Sequence, residues 1–324
     1  MKSQKELFDL IAERFKTKKE MKSKLADLLF RSNAAASKWN SETTLIDYDK
    51  LKKIVKYFNL RPDELFHDNP EYVYVRYHPL DMLDLEKYRN YILGLDKLLF
   101  NASQIVGSKI LFQADDIPIF HFMPYTSLTY FKLYVYAYDM SKIECTYEEY
   151  VKCLEEYNLE PIFQSIASNY ENIESTEIWD HGVVDNLLSQ IEHFEELEKF
   201  TSADIKNKLL DDLLDLITNF KELASNGEKA SGKRFDFFVK PSPLGRSFMI
   251  IQDDELRSVS LKMDIINSIT MVSSRVLMDN YHIFKSSRDK SMALGIGSEK
   301  DRLKYFKNLT DKILKLRNRT QDNN

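Results

Sequence analysis

Leu7, Leu10, Ile11 and Phe15 recur at three- and four-residue spacing, which predicts a first helix over roughly residues 3–15. After a Lys-rich break, Leu25, Leu28 and Leu29 predict a second helix at about 20–29. Ser32 is a good N-cap for a short third helix running to about Trp39, in which Ala36 and Trp39, three apart, face the core. The polar stretch Asn40 to Thr44 separates it from a fourth helix, capped by Asp47, in which Leu51, Ile54 and Phe58 share a face. Pro62 suits the first turn of a fifth helix, with Asp63 and Glu64 favourable at its positive end. Five short helices in under seventy residues predict a small bundle.

Beyond it, EYVYVRYHP alternates like a short strand or a linker between Pro70 and Pro79. The helical period returns with Leu85, Tyr88, Ile92, Leu95 and Leu99, breaks at the prolines of DDIPIFHFMPY, and resumes as the aromatic helix SLTYFKLYVYAY. Further helices are predicted at about 147–157, 159–170, 184–199 and 203–225, the last closed by Asn226-Gly227. RFDFFVK and RSFMIIQ then read as two strands joined around Pro241–Gly245, and SVSLKMDIINSITM adds a third. Helices return at about 273–285 and 299–317. The fold class expected is mainly α: an N-terminal five-helix bundle, then a larger α-rich region with a small antiparallel sheet around 233–270.

Composition fits a globular protein of two or three domains: 324 residues, 43% hydrophobic and 30% charged. Eight Gly and eight Pro favour long helices over a turn-dense all-β architecture. The apolar runs are too short and too broken by charge to span a membrane, and MKSQKELFDL lacks the core of a secretory signal. Two cysteines without zinc spacing suggest a reducing compartment, so a cytoplasmic location is expected. Net charge is −5, unevenly spread: residues 1–66 carry 15 Lys/Arg against 10 Asp/Glu, leaving 31 against 41 for the remainder. A basic head on an acidic body is the asymmetry of a chain in which one domain meets phosphates.

No catalytic or metal motif declares itself. The six histidines (67, 78, 121, 181, 193, 282) form no ligand pair, and neither a nucleophile elbow nor a P-loop occurs. Gly295-Ile-Gly297 reads as a turn, and Asp115-Asp116 and Asp253-Asp254-Glu255 as solvated loop carboxylates or a weak cation site. STEIWDH, with Glu177, Trp179, Asp180 and His181, is the most ligand-like cluster, and is read as capping plus a core tryptophan. Neither enzyme activity, a cofactor nor a bound metal is expected.

Residues 22–66, KSKLADLLFRSNAAASKWNSETTLIDYDKLKKIVKYFNLRPDELF, resemble the helix-turn-helix domain of the phage repressor and Cro family of the xenobiotic response element type. The resemblance implies a recognition helix from Ser32 to Trp39. It also implies that Lys22 lies at the N-terminus of helix 2 against a phosphate, and that Asn40, Ser41 and the residues to Thr44 skirt the DNA backbone. On such a helix Asn33 can pair with adenine, Ala34 can touch a thymine methyl, and Ser37 and Lys38 lie one turn further along. Phe30 departs from the family, which usually has Gly at that turn, and the helix lacks the Arg and Gln that most often read bases. Less specifically, ADDIPIFHF, FKL, STEIWD and SEKDRLKYFKNL are similar to segments of large, poorly characterised bacterial regulators with the same kind of N-terminal domain.

The expectation is therefore a DNA-binding transcriptional regulator. Residues 1–68 form its helix-turn-helix domain, 69–79 a linker, and 80–324 a sensor or oligomerisation region, with a further boundary near 228 left open. Its expected partners are double-stranded DNA, a second copy in a homodimer, and an unidentified small-molecule effector, with no membrane. The last helix, with Leu303, Phe306, Ile313 and Leu316, is one candidate dimer surface. The alternative is a protein-interaction or small-molecule-sensing module whose N-terminal bundle has lost DNA binding.

Overall fold

The computed structural model describes residues 4–12, 15, 17–58, 60, 73, 75–81, 83–141, 143–253 and 255–319. The fifth helix expected from Pro62, and residues 69–72 and 74 of the expected linker, lie outside them. The chain divides into two compact units, Met1–Tyr74 and Val75–Asn324.

The first unit contains α1 (Gln4–Ala12), α2 (Lys18–Leu29), α3 (Asn33–Asn40) and α4 (Tyr48–Tyr57). Their apolar stripes meet in one core, in which Phe8, Ile11, Met21, Leu25, Ala36 and Ile54 are fully buried. Three N-caps set the helix starts: Thr17, Ser32 and Asp47 each accept a bond from the backbone N–H three residues on.

The second unit is an α/β fold built on a seven-stranded mixed sheet, which corrects the expectation of an α-rich domain with a small antiparallel sheet. Its strands are β1 (Lys109–Ala114), β2 (Glu174–Asp180), β3 (Phe235–Lys240), β4 (Phe248–Gln252), β5 (Leu256–Lys262), β6 (Ser268–Met271) and β7 (Met292–Ala293), in the order β6-β5-β4-β1-β2-β3-β7. β1, β2 and β3 run parallel, and the flanking pairs are antiparallel. The two segments expected to form a hairpin, β3 and β4, are not neighbours: β2 and β1 lie between them. The presumed third strand is two, β5 and β6, paired in register from Val259–Met271 to Lys262–Ser268. Strands from both sides of residue 228 share this sheet, so the chain on either side folds as one unit. Residues 75–80 form no strand beyond an antiparallel bridge from Arg76 to Thr270.

Parallel neighbours need long crossovers, and helices supply them. Before the sheet lies α5 (Leu85–Ser103). Between β1 and β2 the chain forms α6 (Ile119–Phe122), α7 (Thr126–Ser141), α8 (Tyr147–Glu155) and α9 (Glu160–Glu171). Between β2 and β3 it forms α10 (Asp185–Glu196) and α11 (Ala203–Asn226), and two more helices follow, α12 (Ser274–Asp289) and α13 (Glu299–Asn318). Alternation sorts the strand residues between two cores. Ile110, Trp179, Phe235, Phe237, Val239 and Ile251 join the main helical core. Leu111, Ile178, Phe248, Ile250 and Val259 are buried on the opposite face, which α12 covers with Leu277 and Phe284. α7 is buried all round from Leu128 to Ala137, including Thr129 and Lys132 among its apolar residues. α13 packs along α11 and turns Phe306, Ile313 and Leu316 into the core, leaving only Leu303 of the four residues suggested for dimerisation exposed.

A lysine is buried among these layers. Lys229 Nζ lies 3.4 Å from the Tyr170 ring centroid and donates to the carbonyls of Tyr170 and Ile173, each at 2.7 Å. Burial pulls its pKa down from 10.5 to about 7, against the pull of Glu177. Between those two values the unfolded chain binds the extra proton, so stability rises with pH. From pH 7 to 8.5 the gain is expected to be roughly 1–2 kcal/mol. The check is the urea midpoint of the full chain, read by Trp179 fluorescence in a Trp39→Phe background. Lys229→Met should flatten the dependence, and a slope unaltered in that variant contradicts the assignment.

Candidate nucleic-acid interface

The presentation of α3 follows from the turn before it and the loop after it. α2 ends in paired backbone bonds, Arg31 N–H to the Ala26 carbonyl (2.9 Å) and Phe30 N–H to that of Asp27 (3.2 Å), with Phe30 left-handed at φ 53°. Ser32 Oγ then accepts from Ala35 N–H at 3.3 Å and opens α3. Ala36 and Trp39 face the core, as their spacing predicts. The Lys50 ammonium lies 6.0 Å from the Trp39 ring centroid and pairs with Asp47. The loop after α3 is pinned by Gln4, whose Nε2 donates to the carbonyls of Trp39 (2.7 Å) and Thr44 (2.9 Å) while Oε1 accepts from Ile46 N–H (2.6 Å). Glu42, at φ 57°, accepts from Lys5 N–H at 2.7 Å. One amide in α1 therefore sets the path of the chain leaving α3.

With Ala36 and Trp39 turned inward, the other face of α3 is open. Ser32, Asn33, Ala34 and Lys38 are exposed, and Ser37 and Asn40 are half-buried. Ser41 is exposed, and its hydroxyl bonds the Lys38 carbonyl (3.3 Å) and Thr43 Oγ1 (2.8 Å). Asn33, Ala34, Ser37 and Lys38 share one stripe, since positions four apart fall on one helix face. Lys22 stands apart: α2 begins at Lys18, so Lys22 is half-buried one turn inside the helix rather than at its N-terminus. Lys18 and Lys19, both exposed, occupy that N-terminal turn. Sequence reasoning missed them because the Lys-rich stretch reads as a break, although Thr17 followed by Glu20 carries a capping signal. It also missed Gln4, whose three bonds span about 40 residues.

Phe30 is 87% exposed, and a left-handed backbone costs a residue with a Cβ about 1–2 kcal/mol. Phe30→Gly relieves that strain and gives back part of the gain as chain entropy, for an expected net stabilisation of about 0.5–1 kcal/mol. Slower amide exchange in α2 and α3 of the full chain would show it, and faster exchange would contradict it.

In the second unit the candidate groups are occupied by one another. Glu177, fully buried in β2, accepts from Trp179 Nε1 (2.6 Å) and from Tyr170, and lies 2.9 Å from His121 Nε2. Burial opposes its charge, but these partners hold the carboxyl below its usual range. Asp180 caps the turn beyond, accepting from the N–H groups of Gly182 and Leu244 at 2.9 Å each, while His181 is exposed. Trp179 stacks on Phe220 at 3.9 Å in the core, so the cluster is capping plus core tryptophan. Asp116 is buried 2.6 Å from Lys132 Nζ and 3.6 Å from Lys262 Nζ, and Asp253 is gripped by Arg257 at 2.8 and 3.0 Å. Ammonium and guanidinium groups thus stand where a cation would. Gly295 and Gly297 form the turn before α13, with Arg302 donating to the Gly295 carbonyl at 2.6 Å. Cys145 and Cys153 are free thiols, and among the described residues no three His, Cys, Asp or Glu side chains converge as metal ligands.

Comparison with protein-family models, with curated proteins and with solved structures gives no match. No helix among the described residues is long and apolar enough to cross a membrane. The geometry of α3 therefore carries the functional reading by itself.

Proposed function

We propose that this chain is a DNA-binding transcriptional regulator that inserts α3 into the major groove as a homodimer, while its larger unit senses an effector or joins the two copies. The observation that carries the reading is the open stripe of Asn33, Ala34, Ser37 and Lys38, on a helix held by Ala36 and Trp39 and capped at a serine. An N-capped helix offers its first residues to base edges, and its unpaired N–H groups and positive end to phosphate. The basic balance of residues 1–66 adds long-range attraction. Few groups on α3 read bases directly, so specificity would draw on half-site spacing and duplex shape.

The test is fluorescence anisotropy of the full chain with labelled duplexes across a salt series. The logarithm of affinity should fall linearly with the logarithm of salt, losing about tenfold or more between 50 and 200 mM. A salt-independent interaction would favour a second reading, in which the first unit docks a protein partner. Apolar groups exposed around α3 speak for that reading: Leu45 at 81% and Tyr48 at 76%, besides Phe30.

A further inference from the structure

On the sheet face covered by α12, the apolar packing stops short of the N-terminal ends of β1, β2 and β3. A cavity of about 210 Å³ opens there. One wall is a stripe of α12, Tyr281, Phe284, Lys285 and Arg288, spaced three, four and seven residues from the first. The floor is apolar, from Leu111 and the fully buried Phe284. Around it stand four cations and two carboxylates. Both carboxylates are already matched, Glu174 by Lys109 at 3.1 Å and Asp236 by Arg234 at 3.0 Å. The surplus positive charge therefore lies with Lys285 and Arg288 on α12. Lys285 sits 5.6 Å from the Tyr281 ring centroid, and Arg288 donates to its exposed neighbour Asp289 at 3.1 Å, a carboxylate outside the cavity lining. Gln252, at the end of β4, also lines the cavity.

A cation in a last helical turn offsets the helix dipole, which accounts for Arg288 in isolation. It does not account for a cavity lined by two more cations than carboxylates. We propose that this cleft binds a small organic phosphate, its phosphoryl group at Lys285 and Arg288 and its body on Leu111 and Phe284. A phosphoryl dianion matches the lining's surplus of two charges once it takes the place of Asp289 on Arg288, and a guanidinium beside an ammonium suits its oxygens. The inference gives a chemistry to the effector of the proposed regulator. It rests on that reading only for the role of effector, because binding is measured without DNA.

Thermal unfolding of the full chain with AMP, ribose 5-phosphate, inorganic phosphate or adenosine tests it. AMP or ribose 5-phosphate at millimolar concentration should raise Tm saturably, by about 3 °C or more, and adenosine should not. The Lys285→Ala/Arg288→Ala variant should lose the shift, and Lys307→Ala, exposed on α13, should keep it. If the double variant unfolds early by itself, Arg288→Gln supplies the comparison. A full effect from inorganic phosphate alone overturns the organic ligand. No saturable shift with either organic phosphate, or a shift unchanged in the variants, overturns the site.

Discussion

Lys38→Glu is expected to weaken duplex binding about a hundredfold while leaving the urea midpoint of the chain unchanged. Lys38 is exposed on the open face of α3, a turn beyond Asn33, and packs nothing into the core. Reversal removes a favourable charge and puts a carboxylate against phosphates, and a homodimer doubles the loss. About 2.7 kcal/mol corresponds to the hundredfold change, within reach of two such reversals. Asn33→Ala should cost about 1–3 kcal/mol of discrimination at one base pair and leave non-specific binding nearly intact. The pair thus separates phosphate contact from base reading: the first variant lowers affinity for all duplexes, the second for preferred ones. Unchanged anisotropy titrations for both variants would remove α3 from the interface.

Asp116→Ala is expected to cost the second unit about 3–5 kcal/mol, because it strands a lysine inside. The Asp116 and Lys132 side chains are 8% and 7% exposed and meet at 2.6 Å, with Ile117 N–H donating to the other carboxylate oxygen at 2.9 Å. Lys132→Met should cost a similar amount by leaving the carboxylate with the Ile117 N–H and, as counter-charge, the more distant Lys262. The double variant should recover most of the loss, since replacing both charges removes both desolvation penalties. Chemical denaturation of the four proteins closes the cycle, and additive losses would contradict a coupled pair. The pair also sets an acid limit. Burial pushes the Asp116 carboxyl up, but Lys132 and Lys262 bring it below its ordinary 3.8. Its contribution is then complete above the unfolded value and is lost as pH falls through the lower, folded one.

The longer helices were legible in the chain to within a few residues, as the stripe from Leu85 to Leu99 and the Ser32 cap illustrate, whereas the four-residue α6 fell in the stretch read as a break. Helical periodicity and caps are local, and each helix closes its own backbone bonds, so a short window of sequence carries the signal. β2 was hidden for the opposite reason. ESTEIWD turns Ser175 and Glu177 toward the core, where an apolar residue is expected, and their partners His121 and Tyr170 come from other elements. β1 is only six residues, and neither strand has a bonding partner nearby in sequence: β1 pairs across about 65 residues with β2 and across about 140 with β4. The apparent hairpin of β3 and β4 failed likewise, because strand type is local and strand neighbourhood is not.

The candidate interface divides in the same way. Sequence alone determined which residues α3 offers, since Ala36 and Trp39 had to point inward and leave Asn33, Ala34, Ser37 and Lys38 outside. Only the tertiary structure decided how the helix is held, through the Gln4 amide and the left-handed Phe30, and where the organic-phosphate cleft lies. Those depend on groups that meet only when distant segments pack, and distance along the chain erases their signal.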